Sequence, residues 1–367
     1  MANIGDELPE GVVTHLAWDG RIDGVVDKEA LKTHPLAAYT IRDDRISLGT
    51  DPEIWVAHDD GTIIPACSFL PDAVKDGRPT TAAIFNDGFQ AEFNTSSAEC
   101  LSYLIDDIQE KLVNLLAAAR KVDKTARLIA APIMEVPEEL LIAAKPEHIR
   151  MGCMPSKNLY NSRGIEIVNG REVGIRFAGF HIHIGYKNLT EEMAQRAVNA
   201  MDALVALPMV ALFGKQKSEK LRRDYYGLAG EYRLPKHGLE YRAISARVLH
   251  HPIWVHLAFD LARFAFQIGI RRIFEARWET PWEEVKKIVD TSNVKAARGV
   301  MTREPLFKEF FGVRYQGKSA TVSKLFTGKV KLASGTLEEN WKLTPCDWAC
   351  HSEGVNCNVM KLVLAEV

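Results

Sequence analysis

Alternating apolar and polar residues predict short strands in the first part of the chain. Residues 54–57 and 62–66 are apolar segments on either side of an Asp-Gly pair, which is typical of a β-hairpin turn. Residues 90–94 alternate between polar and apolar side chains, as a half-buried strand does. Residues 1–45 lack such a pattern and predict an irregular lead-in. Further strands are predicted over 127–133, 173–184 and 239–245.

Helical periodicity begins at residue 101. Apolar residues recur at helical spacing from Leu101 to Leu116 and form one face. Ser96 and Glu99 stand three residues apart just before this segment, which predicts a capping box. The sequence after residue 311 predicts irregular structure that contains strands. Further helices are predicted over 190–207, 252–277 and 281–311.

This order of elements favours an α+β fold. Strands that are joined by hairpin turns and separated by helices are expected to form an antiparallel sheet with helices on one face. At roughly 150 residues per domain, a chain of 367 residues has two domains or one large one. We predict a catalytic domain over residues 46–290, between the lead-in and a C-terminal extension over residues 291–367.

Composition narrows the possible partners and compartment. The net charge is −2, which disfavours stable nucleic-acid binding and an anionic-membrane surface. The sequence has no run of about 18 apolar residues, so no membrane span is predicted. An acidic N-terminus without an apolar signal core and only 6 cysteines predict a cytoplasmic protein.

The last cysteines form a cluster that allows two interpretations. Cys346, Cys350, His351 and Cys357 would supply a Cys3His set for zinc. However, Cys350 and His351 are adjacent and therefore point in different directions, and the spacing matches no common zinc module. The sequence therefore favours loop or core thiols and leaves structural zinc as the alternative.

The most informative feature is a set of ionisable residues spaced two apart on the predicted strands. Residues at i and i+2 of a strand point to the same side of the sheet. One such pair is typical of a solvated sheet face, but four pairs flanked by glycines predict a concave site if their strands are neighbours. The pairs are Asp51 with Glu53, Glu92 with Asn94, His181 with His183, and Glu240 with Arg242.

These residue types indicate a particular chemistry. Several carboxylates do not crowd together without cations to neutralise them. Oxygen ligands with an occasional imidazole suit Mg²⁺ or Mn²⁺, and arginine among them suits a phosphate or carboxylate. The sequence therefore predicts metal-assisted phosphoryl chemistry on a sheet.

The motifs together resemble a known superfamily. Gly-x-Asp-Pro-Glu, Ala-Glu-Phe-Asn-Thr, Gly-x-His-Ile-His-Ile-Gly and Glu-Tyr-Arg follow one another within residues 46–247. Their order and spacing are similar to those of the glutamine synthetase/glutamate–cysteine ligase superfamily, in particular its bacteriophage branch of type 2 carboxylate–amine ligases. The resemblance implies a glutamine-synthetase-like curved antiparallel sheet with helices packed on its outer face.

The resemblance also implies roles for individual residues. It implies nucleotide contacts at His181 and His183, with His183 in support of His181. It implies catalytic phosphate or substrate contacts at Arg233 and Arg242. Asp51 departs from the glutamate that is usual in the superfamily. The implied metal ligands are Asp51, Glu53, Glu92, His181 and Glu240.

The activity that the resemblance implies is ATP-dependent amide formation with Mg²⁺ or Mn²⁺. The enzyme would phosphorylate a small-molecule or peptide carboxylate, and an amine would displace the phosphate. One alternative is a kinase-like phosphotransferase on the same scaffold, and another is a non-catalytic binding or virion-associated module. A phage-encoded ligase of this kind would act in the cytoplasm of its bacterial host.

Residues 312–319 match the Walker A pattern letter by letter. A phosphate-binding loop of that type follows a buried β-strand. Residues 305–311 instead predict a helix, so the sequence favours a surface loop over a nucleotide site here.

Overall fold

The computed structural model of the protein describes residues 12–16, 22–27, 46–75, 78–149, 156–160, 174–315, 319–328 and 335–343. Helices and antiparallel strand pairs are mixed throughout these residues, which confirms the α+β class. The finer prediction of one glutamine-synthetase-like curved sheet stays a prediction, because the described strands form two main sheets.

The strands are short and are numbered in chain order. They are β1 (Val12–Leu16), β2 (Ile22–Asp27), β3 (Ser47–Thr50), β4 (Glu53–Ala57), β5 (Val74–Lys75), β6 (Arg78–Pro79), β7 (Ile84–Asp87), β8 (Gln90–Phe93), β9 (Arg127–Ile129), β10 (Ile133–Glu135), β11 (Lys157–Asn158), β12 (Ile175–Phe177), β13 (Ile182–Gly185), β14 (Glu231–Arg233) and β15 (Gly238–Tyr241).

The helices dominate the second half of the chain. They are α1 (Leu101–Val122), α2 (Glu138–Ala143), α3 (Pro146–Ile149), α4 (Glu191–Met201), α5 (Leu207–Phe213), α6 (Lys217–Arg223), α7 (Pro252–Ile270), α8 (Ile273–Arg277), α9 (Trp282–Asp290), α10 (Val294–Arg303), α11 (Pro305–Arg314), α12 (Ser319–Thr327) and α13 (Leu337–Trp341). Two short 3₁₀ helices lie at Ala66–Ser68 and Ala246–His250, and a π-helical segment, Asp202–Ala206, joins α4 to α5.

Two antiparallel sheets carry the polar pairs that the sequence singled out. The five-stranded sheet has the order β11-β14-β15-β13-β3, and the four-stranded sheet has the order β7-β8-β4-β9. Only Asp51 and Pro52 separate β3 from β4, so the chain passes directly from one sheet to the other at this point. The predicted pairs are therefore divided between two adjoining sheets.

One face of the five-stranded sheet is buried under α4 and α7. Ile182, Ile184 and Leu239 are fully buried on this face, as their alternation with the polar residues predicted. Phe180 packs edge-on against Phe259 of α7, with ring centroids 5.6 Å apart. Because the apolar face is covered by helices, the polar residues of β13 and β15 are directed to the opposite side.

Two helical stretches are long and apolar enough to cross a membrane by length and composition alone. They are Glu191–Phe213 and Pro252–Ile270, and 83% and 94% of their most apolar windows are buried inside the protein. Burial of this extent is typical of the core helices of a folded domain.

Several local predictions differ from the structure. The capping box is wrong: α1 begins after Cys100 without a side-chain cap, and the Ser96 backbone N–H donates to Asp107. The lead-in contains an antiparallel pair formed by β1 and β2. After residue 314 the described residues form the helices α12 and α13 instead of strands, because Val322, Leu325 and Phe326 bury one helical face.

Described residues beyond 290 pack into the same hydrophobic core as the strands of the five-stranded sheet. Arg314 and Tyr315 both bond to the buried Asp260 of α7, at 2.9 and 2.7 Å. Trp341 is fully buried, and its indole N–H donates to the Leu249 carbonyl at 2.7 Å. These contacts join the described part of the C-terminal extension to the helical layer behind the sheet.

A buried carboxylate lies behind the central strand β15. Asp202 accepts hydrogen bonds from the hydroxyls of Tyr241 and Tyr160 at 2.7 and 2.8 Å, and from the Gly230 backbone N–H at 3.1 Å. Burial raises the pKa of Asp202 to about 7. Since its ordinary value is 3.8, the folded state retains a proton that the unfolded chain releases between these two pH values.

We therefore expect the free energy of unfolding to fall as pH rises from about 4 to about 7. The Asp202→Asn variant should lose this component, because an amide does not titrate. Urea unfolding at several pH values measures the slope in both proteins. Equal slopes in the wild type and the variant would contradict the assignment to Asp202.

Candidate active site

The predicted site residues converge where the two sheets adjoin. Two groups of acidic and imidazole side chains lie there, and within each group the donor atoms are within 4.8 Å of one another. The first group is Asp51, His183 and Glu240, and the second is Glu53, Asp87 and Glu92. The strands around them bring together every predicted metal ligand except His181, which lies directly beside the first group.

The first group is assembled by strand register in the five-stranded sheet. His183 on β13 faces Glu240 on β15 and Gly49 on β3, and Asp51 follows directly after β3. The His183 Nε2 lies 3.0 Å from Asp51 Oδ1. Burial lowers the pKa of His183, but the hydrogen bond and the charge of Asp51 outweigh it and raise the pKa overall.

Asp51 is held as a carboxylate by the two histidines. Burial raises its pKa, but the charges of His181 and His183 and their hydrogen bonds place the pKa well below its ordinary range. Asp51 is therefore a negatively charged carboxylate, which is the form that binds a neighbouring cation.

The second group is assembled by the four-stranded sheet. Glu53 on β4 faces Glu92 on β8, and Asp87 ends the neighbouring strand β7. The Glu53 carboxylate accepts a hydrogen bond from the Gly179 backbone N–H at 2.5 Å. Burial and the charge of Asp87 raise the pKa of Glu53 to about 8. Burial also raises the pKa of Asp87, although the nearby Arg242 opposes the shift.

The close packing of these carboxylates fits a metal site. Burial and the neighbouring charge of Asp87 raise the pKa of Glu53, and a divalent cation that neutralises such crowded carboxylates stabilises them. The donor set of oxygens with one imidazole suits Mg²⁺ or Mn²⁺. Both groups therefore fit the metal that the sequence resemblance implied.

Two arginines lie beside Glu240. Arg242, directly after β15, is buried and donates a hydrogen bond to the Glu240 carboxylate. Arg233 faces Glu240 across the β14–β15 register, and its Nη1 lies 3.5 Å from Glu240 Oε1. The structure thus places both predicted arginines next to the first group, where they would meet an anionic ligand.

His181 has a different environment from His183. Its Nδ1 lies 3.0 Å from Asp51 Oδ1, and its Nε2 lies 2.7 Å from the Tyr226 hydroxyl. Burial lowers the pKa of His181 to about 4, so the ring is neutral near pH 7. His183 belongs to the first group of donor atoms, whereas the Nε2 of His181 is engaged by the Tyr226 hydroxyl, so the geometry favours His183 as the direct ligand and His181 as its support. The sequence resemblance implied the opposite order.

Several site residues were missed by the sequence reasoning. Asp87 stands just before Gly88 in a hairpin turn, and this Asp-Gly pair was the available signal. The Tyr226 ring lies between two guanidinium groups, 4.7 Å from that of Arg222 and 5.3 Å from that of Arg242. No local pattern around Tyr226 distinguishes it from an ordinary aromatic residue.

A cavity of about 660 Å³ adjoins the first group. His237 links the two, since its Nε2 lies 3.0 Å from His183 Nδ1 and its ring also lines the cavity. The remaining wall combines cationic and apolar side chains at the ends of β13 and β15. It includes Lys187, Leu189, Leu234, Pro235 and Lys236.

The other sequence motifs lie at the end of helix α11 or outside the described residues. The described start of the Walker A match, residues 312–314, continues the helix α11, so the strand that such a loop follows is not there. Residues 316–318 of the motif lie outside the described residues. The same is true of the cysteine cluster with Cys346, Cys350, His351 and Cys357.

Comparison with solved structures finds a distant likeness. A bifunctional glutathione synthetase from Pasteurella multocida is 11% identical, with a TM-score of 0.40, over 91% of this chain and 52% of that chain. This chain thus spans about half the length of that protein. No curated protein matches the sequence.

A comparison with protein families matches the part of the chain that contains the His-x-His and Glu-x-Arg motifs. The matched segment contains His181, His183, Glu240 and Arg242, whereas Asp51 and the whole second group precede it. The match confirms the resemblance that the motifs predicted: residues 131–271 match the family described as Phage phiEco32-like COOH.NH2 ligase-type 2.

Proposed function

We propose that the chain is an ATP-dependent ligase that joins a carboxylate to an amine through an acyl phosphate. The observation that carries the proposal is the adjacency of two metal-type acidic groups and two arginines. Of these residues, His183, Arg233, Glu240 and Arg242 lie in the part of the chain that matches a carboxylate–amine ligase family. In the first step a carboxylate oxygen attacks the γ-phosphorus of ATP and ADP leaves. In the second step the amine attacks the acyl carbon, loses a proton and displaces phosphate.

The two acidic groups would each hold one divalent ion. Asp51, His183 and Glu240 would hold one, and Glu53, Asp87 and Glu92 would hold the other. Bound there, Mg²⁺ or Mn²⁺ would neutralise the triphosphate and the substrate carboxylate so that the two anions can approach.

The arginines would act on the phosphoryl group. Arg242 is buried and fixed against Glu240, so its guanidinium is preorganised toward developing negative charge. Arg233 is 20% exposed and lies nearer to the solvent side of the same carboxylate. We assign Arg242 to the transferring phosphoryl group and Arg233 to a phosphate or carboxylate that enters from solvent.

The cavity next to His237 is the proposed position of the nucleoside. Its leucine and proline side chains offer an apolar surface for a base, and Lys187 and Lys236 offer positive charge at its edge. The connection through His237 to His183 places this cavity beside the first metal group. ATP would thus enter with its phosphates toward the two arginines.

Product analysis tests the proposal. The protein is incubated with Mg-ATP and a panel of carboxylates and amines, and nucleotide products and new masses are followed. We expect ADP, phosphate and a product whose mass is the sum of both substrates minus one water. A stable phosphorylated acceptor would favour a phosphotransferase instead. AMP as the nucleotide product, or no turnover with any pair, would contradict the proposal.

A further inference from the structure

The turn between β7 and β8 carries Asp87 and is docked on the rest of the protein. The carbonyls of Gly88 and Phe89 accept hydrogen bonds from the backbone N–H groups of Cys67 and Ala66, both at 3.0 Å. Phe89 is 1% exposed, and the Arg176 guanidinium lies 5.3 Å from its ring centroid. The two-residue turn Gly88–Phe89 is thus held by backbone hydrogen bonds from Ala66 and Cys67 and by the contact with Arg176.

The closest contact of the turn is with the end of α3. Gly88 has a φ of +67°, a conformation that favours glycine. A Cβ atom at Gly88 would lie 2.4 Å from the His148 carbonyl oxygen, which is too close for any other residue. The turn therefore fits against α3 only as long as its first residue is glycine.

A side-chain network strengthens the same contact. His148 Nε2 lies 2.9 Å from Asp72 Oδ1, and Asn86 donates to the same oxygen at 3.1 Å. Asn86 is 3% exposed, and it also donates to the Leu70 carbonyl and accepts from the Gly88 backbone N–H. Asn86 and Gly88 flank Asp87, so this network fixes the backbone on both sides of that carboxylate.

We infer that Gly88, Asn86, Asp72 and His148 are positioning residues for the second metal group. They hold Asp87 beside Glu53 and Glu92 before a cation binds, which removes the cost of ordering the ligand during binding. The inference rests on the proposed function, because it takes this carboxylate group to bind a divalent cation.

Two turn glycines provide a matched test. Gly61 also has a positive φ, +88°, in the hairpin after β4, but a Cβ there would meet nothing within 4 Å. Gly88→Ala and Gly61→Ala therefore share the backbone strain, and only Gly88→Ala disturbs the docked turn. Mn²⁺ binding to the full-length protein is measured by calorimetry and by electron paramagnetic resonance. We expect Gly88→Ala to weaken binding of one Mn²⁺ about tenfold or more, and Gly61→Ala to leave it unchanged.

A second pair of variants covers the case in which Gly88→Ala does not fold. His148→Ala removes the side-chain contact with Asp72 but leaves the backbone contact with Gly88 in place. His58→Ala is its control, because His58 pairs with Asp123 at the other end of β4. We expect His148→Ala to weaken Mn²⁺ binding about tenfold and His58→Ala to leave it unchanged.

The outcomes separate the inference from the proposed function. Unchanged Mn²⁺ affinity in His148→Ala and in any folded Gly88→Ala protein would overturn the inference and leave the metal site intact. Equal weakening in the variants and their controls would also overturn it, because the effect would then follow general stability. A wild-type protein that binds no Mn²⁺ would overturn the metal site and the proposed function as well.

Discussion

Replacement of Glu240 by glutamine is expected to lower the rate of ADP formation by about 10²–10³-fold, the loss that follows removal of one charge-stabilising group in an active site. Glu240 is the carboxylate that both arginines and the first metal group share. Glutamine has nearly the same shape and keeps one acceptor oxygen, but it removes the negative charge that a divalent cation requires. The steady-state rate with saturating Mg-ATP measures this effect.

The fold of this variant must be checked, because Arg242 is buried and loses a charged partner. Circular dichroism and thermal unfolding serve this purpose. Glu135→Gln is the control, since Glu135 is an exposed glutamate on β10 away from both metal groups. A folded Glu240→Gln protein with full activity would show that the assigned site is not the catalytic one.

Replacement of Glu53 by glutamine is expected to have opposite effects on activity and on stability. Activity should fall about 10²-fold or more, because the second metal group loses a charged ligand. The metal-free protein should become more stable by about 1–3 kcal/mol, because a buried carboxylate beside Asp87 is replaced by a neutral amide. The amide oxygen can still accept the Gly179 N–H bond.

The stability effect should depend on pH in a defined direction. The pKa of Glu53 is raised to about 8, so the folded state keeps a proton that the unfolded chain has lost above pH 4.5. The wild type without metal should thus lose stability between these pH values, and Glu53→Gln should show a smaller loss. Urea unfolding in the presence of a chelator measures both proteins.

A second buried glutamate gives a matched control for this experiment. Glu231 on β14 accepts backbone hydrogen bonds from Gly227 and Leu228 at 3.1 and 3.0 Å and lies near Arg222. Burial raises the pKa of Glu231 as well, but each of its two oxygens accepts a backbone N–H bond, and an amide would replace one of these acceptors with a donor, so we expect Glu231→Gln to be neutral or destabilising. A Glu53→Gln protein that is less stable than the wild type without metal would contradict the proposed crowding of carboxylates.

The sequence correctly predicts helices and strands where the hydrophobic periodicity is strong. The helix from Leu101, the strand at 90–93 and the burial of Phe180, Ile182 and Ile184 were predicted and are present. The failures lie at element ends, such as the cap of α1, and after residue 314, where the described residues form helices and the sequence predicts irregular structure that contains strands. Caps and ends depend on a few hydrogen bonds, which periodicity does not describe.

The sequence by itself determined which side chains share a sheet face. The two-residue period of a strand places His183 opposite the core, and the same rule holds for Glu240 and Arg242 whatever the partner strand is. It also placed carboxylates, imidazoles and arginines close together along these segments, and these residue types are the basis of the proposed chemistry. The family match over residues 131–271 confirmed the resemblance that followed from them.

Only the tertiary structure decided how these residues are grouped. The registers of β13 with β15 and of β4 with β8 place Glu240 with His183, and Glu92 with Glu53, in two separate groups. The docked turn after β7 added Asp87, and the Tyr226 hydroxyl occupied the second nitrogen of His181. Register and docking are set by long-range burial of whole faces, so the local pattern of a single strand does not contain them.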